Sequence, residues 1–403
     1  MRKKILFIIL DGYADDADKT QLILSMKPNM DILTKNGYAG LIENSQEHPD
    51  SGKSNFVLLG YPMEEYPGRG YLEAQGADVK IIPGSVYIRA NFATVEEAKY
   101  DKYKNDGTEP HLIVKDRRAG RDSSGLFEMS KDIKEMFVEG VKFNFYKSLG
   151  HRGVVGLNSV NVSSNVSDSD PEVEGKEVLK IRPTKNDDAS VKTADALNKF
   201  SRNIYDILSK HPANKYRKLP ANFLLLRDAG QYKYVKSFKD KYGLDTACVA
   251  ASPVIKGIAR SMDMHVENVS GATGDLKTDL RAKLLAALEL LSNKDMVILH
   301  ILGCDVCSHD KNPRLGAVFM EKIDREVFGR IMEYVNFDRT LVAVCSDHIT
   351  SSKTGLHSPG NMPFLIYTKG IESNSIQALD EKNCQRGPVV KLEDFMKEVL
   401  KFA

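Results

Sequence analysis

The fold is decided by the stretch Lys4-Ile5-Leu6-Phe7-Ile8-Ile9-Leu10, which Asp11-Gly12 follows directly. Two later segments repeat this pattern: Met296–Leu302 ahead of Gly303-Cys304-Asp305, and Thr340–Cys345 ahead of Ser346-Asp347-His348. A continuous apolar run is typical of a parallel strand that is buried on both faces. We therefore predict three buried parallel strands, each followed closely by an aspartate.

Helical patterns lie between these strands, over Leu276–Ser292 and Arg314–Val335. The alternation of strand and helix predicts an α/β fold built on a doubly wound, mainly parallel sheet. In such sheets ligands bind outside the carboxyl ends of the strands. The three aspartates therefore predict a functional site at that edge.

The middle of the chain has a different pattern, and 403 residues favour two domains. It combines short strands, a polar stretch and a helix: Val79–Pro83, Val86–Phe92, Leu112–Lys115, Asn158–Asp170 and Ala189–Lys210. We predict an inserted α+β cap domain over residues 60–236. Residues 1–59 and 237–403 would form the sheet domain.

Composition excludes several classes of protein. Lys+Arg 57 against Asp+Glu 55 gives a net charge of +2, which disfavours nucleic-acid and membrane-surface binding. No apolar run approaches the roughly 18 residues of a membrane span, and the N-terminal run is too short for a signal peptide. The five scattered cysteines fit reduced thiols. We expect a cytoplasmic protein with neither a nucleic-acid nor a membrane partner, and the oligomeric state stays open.

Metal-ligating residue types concentrate near the second and third strands: Asp305, His309, Asp347, His348 and His357. Mixed aspartate and histidine sites suit Mn²⁺, Mg²⁺ or Zn²⁺. Each residue alone would more simply be a helix cap, a core residue or a surface residue, but the set favours metal binding. Cys304-Asp305-Val306-Cys307 also matches a redox motif, which would require a helix N-terminus or a second pair. The sequence indicates neither.

A candidate nucleophile follows the first strand. Ser51 lies in Pro49-Asp50-Ser51-Gly52-Lys53-Ser54-Asn55. A serine ahead of a helix is usually only a cap, but beside metal ions its hydroxyl can ionise and attack phosphorus.

Together these residues resemble the alkaline-phosphatase superfamily and, within it, the archaeal-type 2,3-bisphosphoglycerate-independent phosphoglycerate mutases. The resemblance extends from residue 1 to about residue 365. Further matching segments are Leu58-Leu59-Gly60-Tyr61, Pro28-Asn29-Met30-Asp31, Gly68-Arg69-Gly70, Glu73-Ala74, Asp116-Arg117-Arg118-Ala119-Gly120-Arg121, His151-Arg152, Ser167-Asp168-Ser169-Asp170-Pro171, Leu226-Arg227-Asp228-Ala229-Gly230 and Ile255-Lys256-Gly257-Ile258-Ala259-Arg260.

The resemblance implies an alkaline-phosphatase-like fold and two divalent metal ions, with Mn²⁺ expected and Mg²⁺, Zn²⁺ or Co²⁺ as alternatives. One ion would be held by Asp305, His309 and His357, and the other by Asp11, Ser51, Asp347 and His348. Ser51 would be the phosphorylated nucleophile. The implied substrate-binding residues are Arg117, Arg118, Arg121, His151, Arg152, Arg227 and Lys256.

The implied activity is interconversion of 3-phosphoglycerate and 2-phosphoglycerate, in glycolysis and gluconeogenesis, without added 2,3-bisphosphoglycerate. The alternative is a phosphatase or a phosphate- or phosphonate-ester hydrolase of the same superfamily, while a non-catalytic binding protein is disfavoured by the complete ligand set. Two departures from the family pattern stand out. Gly52-Lys53 follows Ser51 where an acidic residue is usual, and Lys311-Asn312 follows His309-Asp310 where Gly-Asp is usual.

Overall fold

The computed structural model describes residues 2–98 and 111–403. The chain forms two compact units, one comprising Met1–Tyr66 with Val235–Ala403 and the other comprising Pro67–Tyr234. For comparison with the second unit, Pro67–Tyr234, the sequence predicts a cap domain over residues 60–236.

The strands of both units are numbered in chain order. They are β1 Lys4–Leu10, β2 Tyr38–Asn44, β3 Val86–Glu97, β4 Leu112–Asp116, β5 Glu135–Val138, β6 Val141–Lys147, β7 Arg152–Asn158, β8 Phe223–Gln231, β9 Thr246–Val249, β10 His265–Glu267, β11 Met296–Ile301, β12 Thr340–Cys345, β13 Ile349–Ser351, β14 Leu356–Ser358, β15 Gly360–Tyr367 and β16 Val389–Lys391.

The helices are numbered in the same way. They are α1 Gln21–Leu24, α2 Pro28–Lys35, α3 Ser51–Leu58, α4 Arg69–Gly76, α5 Leu126–Asp132, α6 Asp188–Leu208, α7 Phe238–Tyr242, α8 Pro253–Ser261, α9 Leu280–Leu291, α10 Gly303–His309, α11 Pro313–Ile323, α12 Gly329–Tyr334 and α13 Phe395–Leu400.

The first unit is built on an eight-stranded sheet in the order β10-β9-β11-β1-β12-β15-β2-β16. Its strands pair in parallel except at β15, which is antiparallel to both neighbours. In the central strand β1, Ile5 to Leu10 are at most 1% exposed, because helices cover the sheet. The predicted α/β fold with a mainly parallel sheet is confirmed, and β1 and β12 have the predicted bounds.

The second unit is an antiparallel sheet in the order β4-β3-β7-β6-β5, with β8 paired to β3. The long helix α6 packs on it through a stripe of buried residues that includes Leu197, Phe200 and Ile204. The ring of Phe200 stacks on that of Phe143 with centroids 4.4 Å apart. This unit therefore has its own core.

Two sequence expectations about local structure are wrong. Val79–Pro83 is not a strand, because the Val79 amide donates to the Ala74 carbonyl at the end of α4 and the Ile82 amide donates to the Tyr87 hydroxyl. The helical pattern over 314–335 is not one continuous α-helix. A π-helical turn over Asp324–Phe328 separates α11 from α12.

Candidate metal centre and nucleophile

Three strand ends meet at one edge of the first sheet. Strand β1 lies between β11 and β12, parallel to both. The Asp305 amide donates to the Asp11 carbonyl (3.0 Å), and the Gly12 amide donates to Oδ1 of Asp347 (3.4 Å). The three aspartates predicted at strand ends are therefore neighbours, and all are buried.

The first ligand group consists of Asp305, His309 and His357. Asp305 and His309 lie four residues apart on α10, so they share one helix face. Their nearest atoms are 3.4 Å apart, as are those of Asp305 and His357. The two histidine Nε2 atoms approach to 3.1 Å.

The protonation of this group follows from its neighbours. Nδ1 of His309 lies 2.8 Å from the carbonyl oxygen of Gly355, and Nδ1 of His357 lies 3.2 Å from that of Pro49. A carbonyl oxygen only accepts, so in each neutral ring the hydrogen is assigned to Nδ1 and the lone pair to Nε2. The two Nε2 lone pairs and the Asp305 carboxylate then face one another, and a bound cation would remove the repulsion between them.

The second ligand group consists of Asp11, Asp347 and His348. Nε2 of His348 lies 3.4 Å from oxygens of both aspartates. Thr350 donates its hydroxyl hydrogen to Asp305 (2.8 Å), and its oxygen lies 3.2 Å from Nδ1 of His348. The His348 hydrogen is thus assigned to Nδ1, and its Nε2 lone pair faces the aspartates. Both groups fit a divalent cation.

The electrostatics of the two groups differ. Burial opposes ionisation of Asp305, but hydrogen bonds that His309 and His357 donate once their Nε2 atoms are also protonated hold its pKa well below the usual value. Burial and the charge of Asp305 raise the pKa of Asp347 to about 7. The raised pKa of Asp347 shows how closely the carboxylates approach one another at this edge of the sheet.

Ser51 is the first residue of α3 and is 7% exposed. The helix begins there because the Asp50 carboxylate caps it, accepting hydrogen bonds from the Gly52 and Lys53 amides. Oγ of Ser51 lies 3.2 Å from Nε2 of His348. One turn later, Asn55 donates to the Ser51 carbonyl (2.8 Å) and to Oδ2 of Asp347 (2.7 Å). The serine is thereby held against the second ligand group.

The departures from the family pattern have local structural roles. A Cβ on Gly52 would lie 2.4 Å from the Tyr66 hydroxyl oxygen and 2.9 Å from Oδ1 of Asp50, so the site has no room for a side chain. The Lys53 ammonium lies 3.6 Å from Oδ2 of Asp50. Lys311 has a positive φ of 54°, and Asn312 caps α11.

The paired cysteines do open a helix, contrary to the expectation from sequence: Cys304 and Cys307 both lie in α10. Burial raises the pKa of Cys304 well above its usual value and that of Cys307 to about 11. Thiols that stay protonated are poor redox nucleophiles, so the redox interpretation gains no support.

In the second unit, two of the predicted substrate-binding arginines hold an aspartate instead of lying open. Arg117 binds Asp170 through Nε (2.9 Å) and Nη2 (2.7 Å), and Nη1 of Arg227 lies 3.5 Å from the same carboxylate. Arg227 also pairs with Glu172. The Asp170 side chain is fully buried, so loss of either arginine would leave its charge poorly compensated and would destabilise the fold.

Arg118, Arg121, His151 and Arg152 interact electrostatically. Burial, followed by the charges of Arg152, Arg118 and Arg121, lowers the pKa of His151 to about 3. His151 is therefore neutral at neutral pH. Desolvation also lowers the pKa of Arg152 to about 10, an effect that Glu73 opposes. These four residues form a basic cluster suited to an anion.

Two arginines that border this cluster were not among the predicted site residues. Arg69 and Arg89 share the buried Glu73 at 3.0 and 2.9 Å, and Arg89 also binds Asp228 at 2.7 Å. Both lower the pKa of Arg152, so they lie near it. Gly68-Arg69-Gly70 was noted as a family segment, but no sequence signal singled out Arg89.

The remaining predicted residue, Lys256, lies on α8 of the first unit. Its ammonium donates to the Asn268 side chain at 2.7 Å. No sequence signal separated Asn55, Thr350 and His300 from ordinary polar residues. His300 is fully buried in β11, with Nε2 3.1 Å from Oδ2 of Asp11.

The fold and site define a class of protein. It is an α/β protein with two aspartate–histidine groups and a serine at the N-terminus of a helix, at the carboxyl edge of its sheet. A sequence model of the 2,3-bisphosphoglycerate-independent phosphoglycerate mutase family matches residues 34–214. The mutase of that name from Methanopyrus kandleri is 38% identical over 401 residues, covering 96% of this chain and 93% of the relative. The chain belongs to this family, and the expected isomerase family is confirmed.

Solved structures agree with this assignment. The cofactor-independent phosphoglycerate mutase from Thermoplasma acidophilum is 30% identical with a TM-score of 0.63, and each chain is covered completely. The PH0037 protein from Pyrococcus horikoshii is 27% identical with a TM-score of 0.79, covering 100% of this chain and 98% of its own. Within the described ranges, no helix is both long and apolar enough to cross a membrane.

Proposed function

We propose that the protein interconverts 3-phosphoglycerate and 2-phosphoglycerate without added 2,3-bisphosphoglycerate, through a phosphoserine at Ser51. One observation carries the proposal: Oγ of Ser51 lies 3.2 Å from Nε2 of His348, and His348 belongs to one of the two aspartate–histidine groups. The names of relatives from Methanopyrus kandleri and Methanocaldococcus jannaschii support the same reaction.

Two divalent cations, with Mn²⁺ expected, would be held by the two groups. Asp305, His309 and His357 form one site, and Asp11, Asp347, His348 and Ser51 form the other. When bound, the cations supply the positive charge that ionises the serine hydroxyl and neutralises the transferring phosphoryl group.

The nucleophile is the Ser51 oxygen at the N-terminus of α3. After the serine hydroxyl has lost its proton, its bond to phosphorus forms as the bond from phosphorus to the C3 oxygen of the substrate breaks, and that oxygen takes up a proton. The 2-hydroxyl of the same glycerate then loses its proton, its oxygen bonds to phosphorus, and the bond from phosphorus to the Ser51 oxygen breaks. The helix N-terminus favours the extra negative charge of phosphoserine. Because the chain itself carries the phosphoryl group, no phosphorylated cofactor is required.

The glycerate has to be retained while it turns. Its carboxylate and hydroxyl groups offer acceptors for guanidinium donors, and we assign its binding to the basic cluster of Arg118, Arg121, His151 and Arg152. Arg117 and Arg227 would contribute through Asp170. Water has to be excluded during this step, since hydrolysis of phosphoserine would turn the mutase into a phosphatase.

The test is to quench the Mn²⁺-loaded enzyme rapidly after adding 3-phosphoglycerate and to map phosphorylated peptides by mass spectrometry. We expect phosphate on Ser51, and no turnover by Ser51→Ala. Ser54→Ala is the matched control, since that hydroxyl binds Gln46 instead of the ligand groups (2.8 Å). Full turnover by Ser51→Ala would refute the assigned nucleophile.

A further inference from the structure

A buried histidine lies behind the second ligand group. His300 is 1% exposed and lies on β11, in register with Ile9 of β1. Its Nε2 atom is 3.1 Å from Oδ2 of Asp11, which is itself fully buried. Within the described chain this Nε2 atom has no hydrogen-bond partner of good geometry. A buried imidazole nitrogen that forms no hydrogen bond costs free energy of folding.

In the contact between His300 and Asp11, only the histidine can be the hydrogen-bond donor. A carboxylate oxygen only accepts hydrogen bonds, so the approach is favourable when Nε2 of His300 carries the hydrogen. Oδ2 of Asp11 is then directed toward His300. The other oxygen, Oδ1, lies 3.4 Å from Nε2 of His348, on the side of the ligand group. The two imidazoles therefore face different oxygens of one carboxylate.

The position of His300 is itself fixed. Its side chain extends from a central strand of the sheet, where neighbouring strands restrict the backbone. Its carbonyl oxygen accepts a 2.5 Å hydrogen bond from the ammonium of Lys283, a lysine on α9 that is only 1% exposed. A histidine held in this way can hold a carboxylate in turn.

We infer that His300 is a positioning residue for Asp11: a small rotation of its ring would let Nε2 donate to Oδ2, 3.1 Å away, and would leave Oδ1 to the cation. The inference rests on the proposed cation at the Asp11 group, but it does not depend on the substrate. Partners of this kind orient metal ligands, and their removal typically weakens metal binding about 10- to 100-fold.

The experiment measures Mn²⁺ binding to the metal-free full chain by titration calorimetry. The variants are His300→Ala and His300→Gln, whose amide can still donate a hydrogen bond. His265→Ala is the control, since His265 lies exposed on β10 of the same sheet. The wild type should bind two ions. His300→Ala should bind one normally and one about 10- to 100-fold more weakly, and His300→Gln should recover part of the loss.

Further measurements distinguish loss of one ion site from other effects of the substitution. Saturating Mn²⁺ should restore the turnover of His300→Ala, and thermal unfolding with chelator should separate a general loss of stability from a loss at one site. Equal weakening at both sites, or unchanged binding in a folded His300→Ala, would overturn the inference. A wild type that binds no Mn²⁺ would instead contradict the proposed function, a result distinct from either of these.

Discussion

Gly52 provides a test of packing at the nucleophile. In Gly52→Ala the new Cβ would lie 2.4 Å from the Tyr66 hydroxyl oxygen, 2.9 Å from Oδ1 of Asp50 and 3.3 Å from Cγ2 of Val254. The Tyr66 ring packs edge-on against Phe56 with centroids 5.4 Å apart, so it cannot move away freely. Overpacking of this kind costs about 1–3 kcal/mol.

Alanine also gains about 1 kcal/mol of helix propensity over glycine. The net loss of unfolding free energy should therefore reach up to about 2 kcal/mol. In the Tyr66→Phe background the closest contact is gone, so Gly52→Ala should cost about 1 kcal/mol less there, a non-additivity expected of touching residues.

The assay is urea unfolding of the single and double variants. Gly329→Ala is the control, because its Cβ would meet Asn29 at an ordinary 3.5 Å, and it should not destabilise. If the cost of Gly52→Ala is the same with and without the Tyr66 hydroxyl, the packing argument is wrong. A larger side chain, as in Gly52→Asp, should be tolerated less well than alanine.

Three other predictions concern individual charges. Arg152→Ala should impair mutase turnover more than hydrolysis of a small phosphate ester, and equal losses in both assays would remove Arg152 from glycerate binding. Arg182→Ala is the control, since Arg182 is an exposed arginine of the same unit outside the basic cluster. Lys53→Ala should change the unfolding free energy by less than about 1 kcal/mol, since its ion pair is partly exposed, and should leave KM unchanged at low ionic strength. A raised KM would instead place Lys53 at the substrate. Burial raises the pKa of Glu381 from 4.5 to about 7, so the folded state binds this proton more tightly than the unfolded state. The stability that the protonated carboxyl contributes to the folded state is therefore lost as pH rises from about 4.5 through 7. Between these pH values the wild type should lose up to about 3 kcal/mol relative to Glu381→Gln, and parallel stability profiles would contradict this.

The sequence predicted the elements whose signal is local. β1 is a continuous apolar run because it is buried on both faces, and this pattern is visible without any knowledge of its neighbours. The proximity of Asp11, Asp305 and Asp347 could also be predicted, because each follows a parallel strand closely and such strand ends meet at one edge of the sheet.

What could not be predicted depends on contacts between distant segments. Val79–Pro83 alternates like a strand, yet its amides bond to the end of α4 and to Tyr87. His300 and Thr350 look like ordinary polar residues until the fold brings them to Asp11, Asp305 and His348. The space beside Gly52 is likewise defined by Tyr66, a residue fourteen positions later in the sequence.

In the proposed reaction the phosphoryl group returns to the glycerate it came from. The direct measurement is to incubate the Mn²⁺-loaded protein with 3-phosphoglycerate, without 2,3-bisphosphoglycerate, and to follow 2-phosphoglycerate and free phosphate together. We expect 2-phosphoglycerate to accumulate to equilibrium with little free phosphate, and chelation to stop the reaction. Release of phosphate in step with substrate loss, without 2-phosphoglycerate, would contradict it and identify a hydrolase.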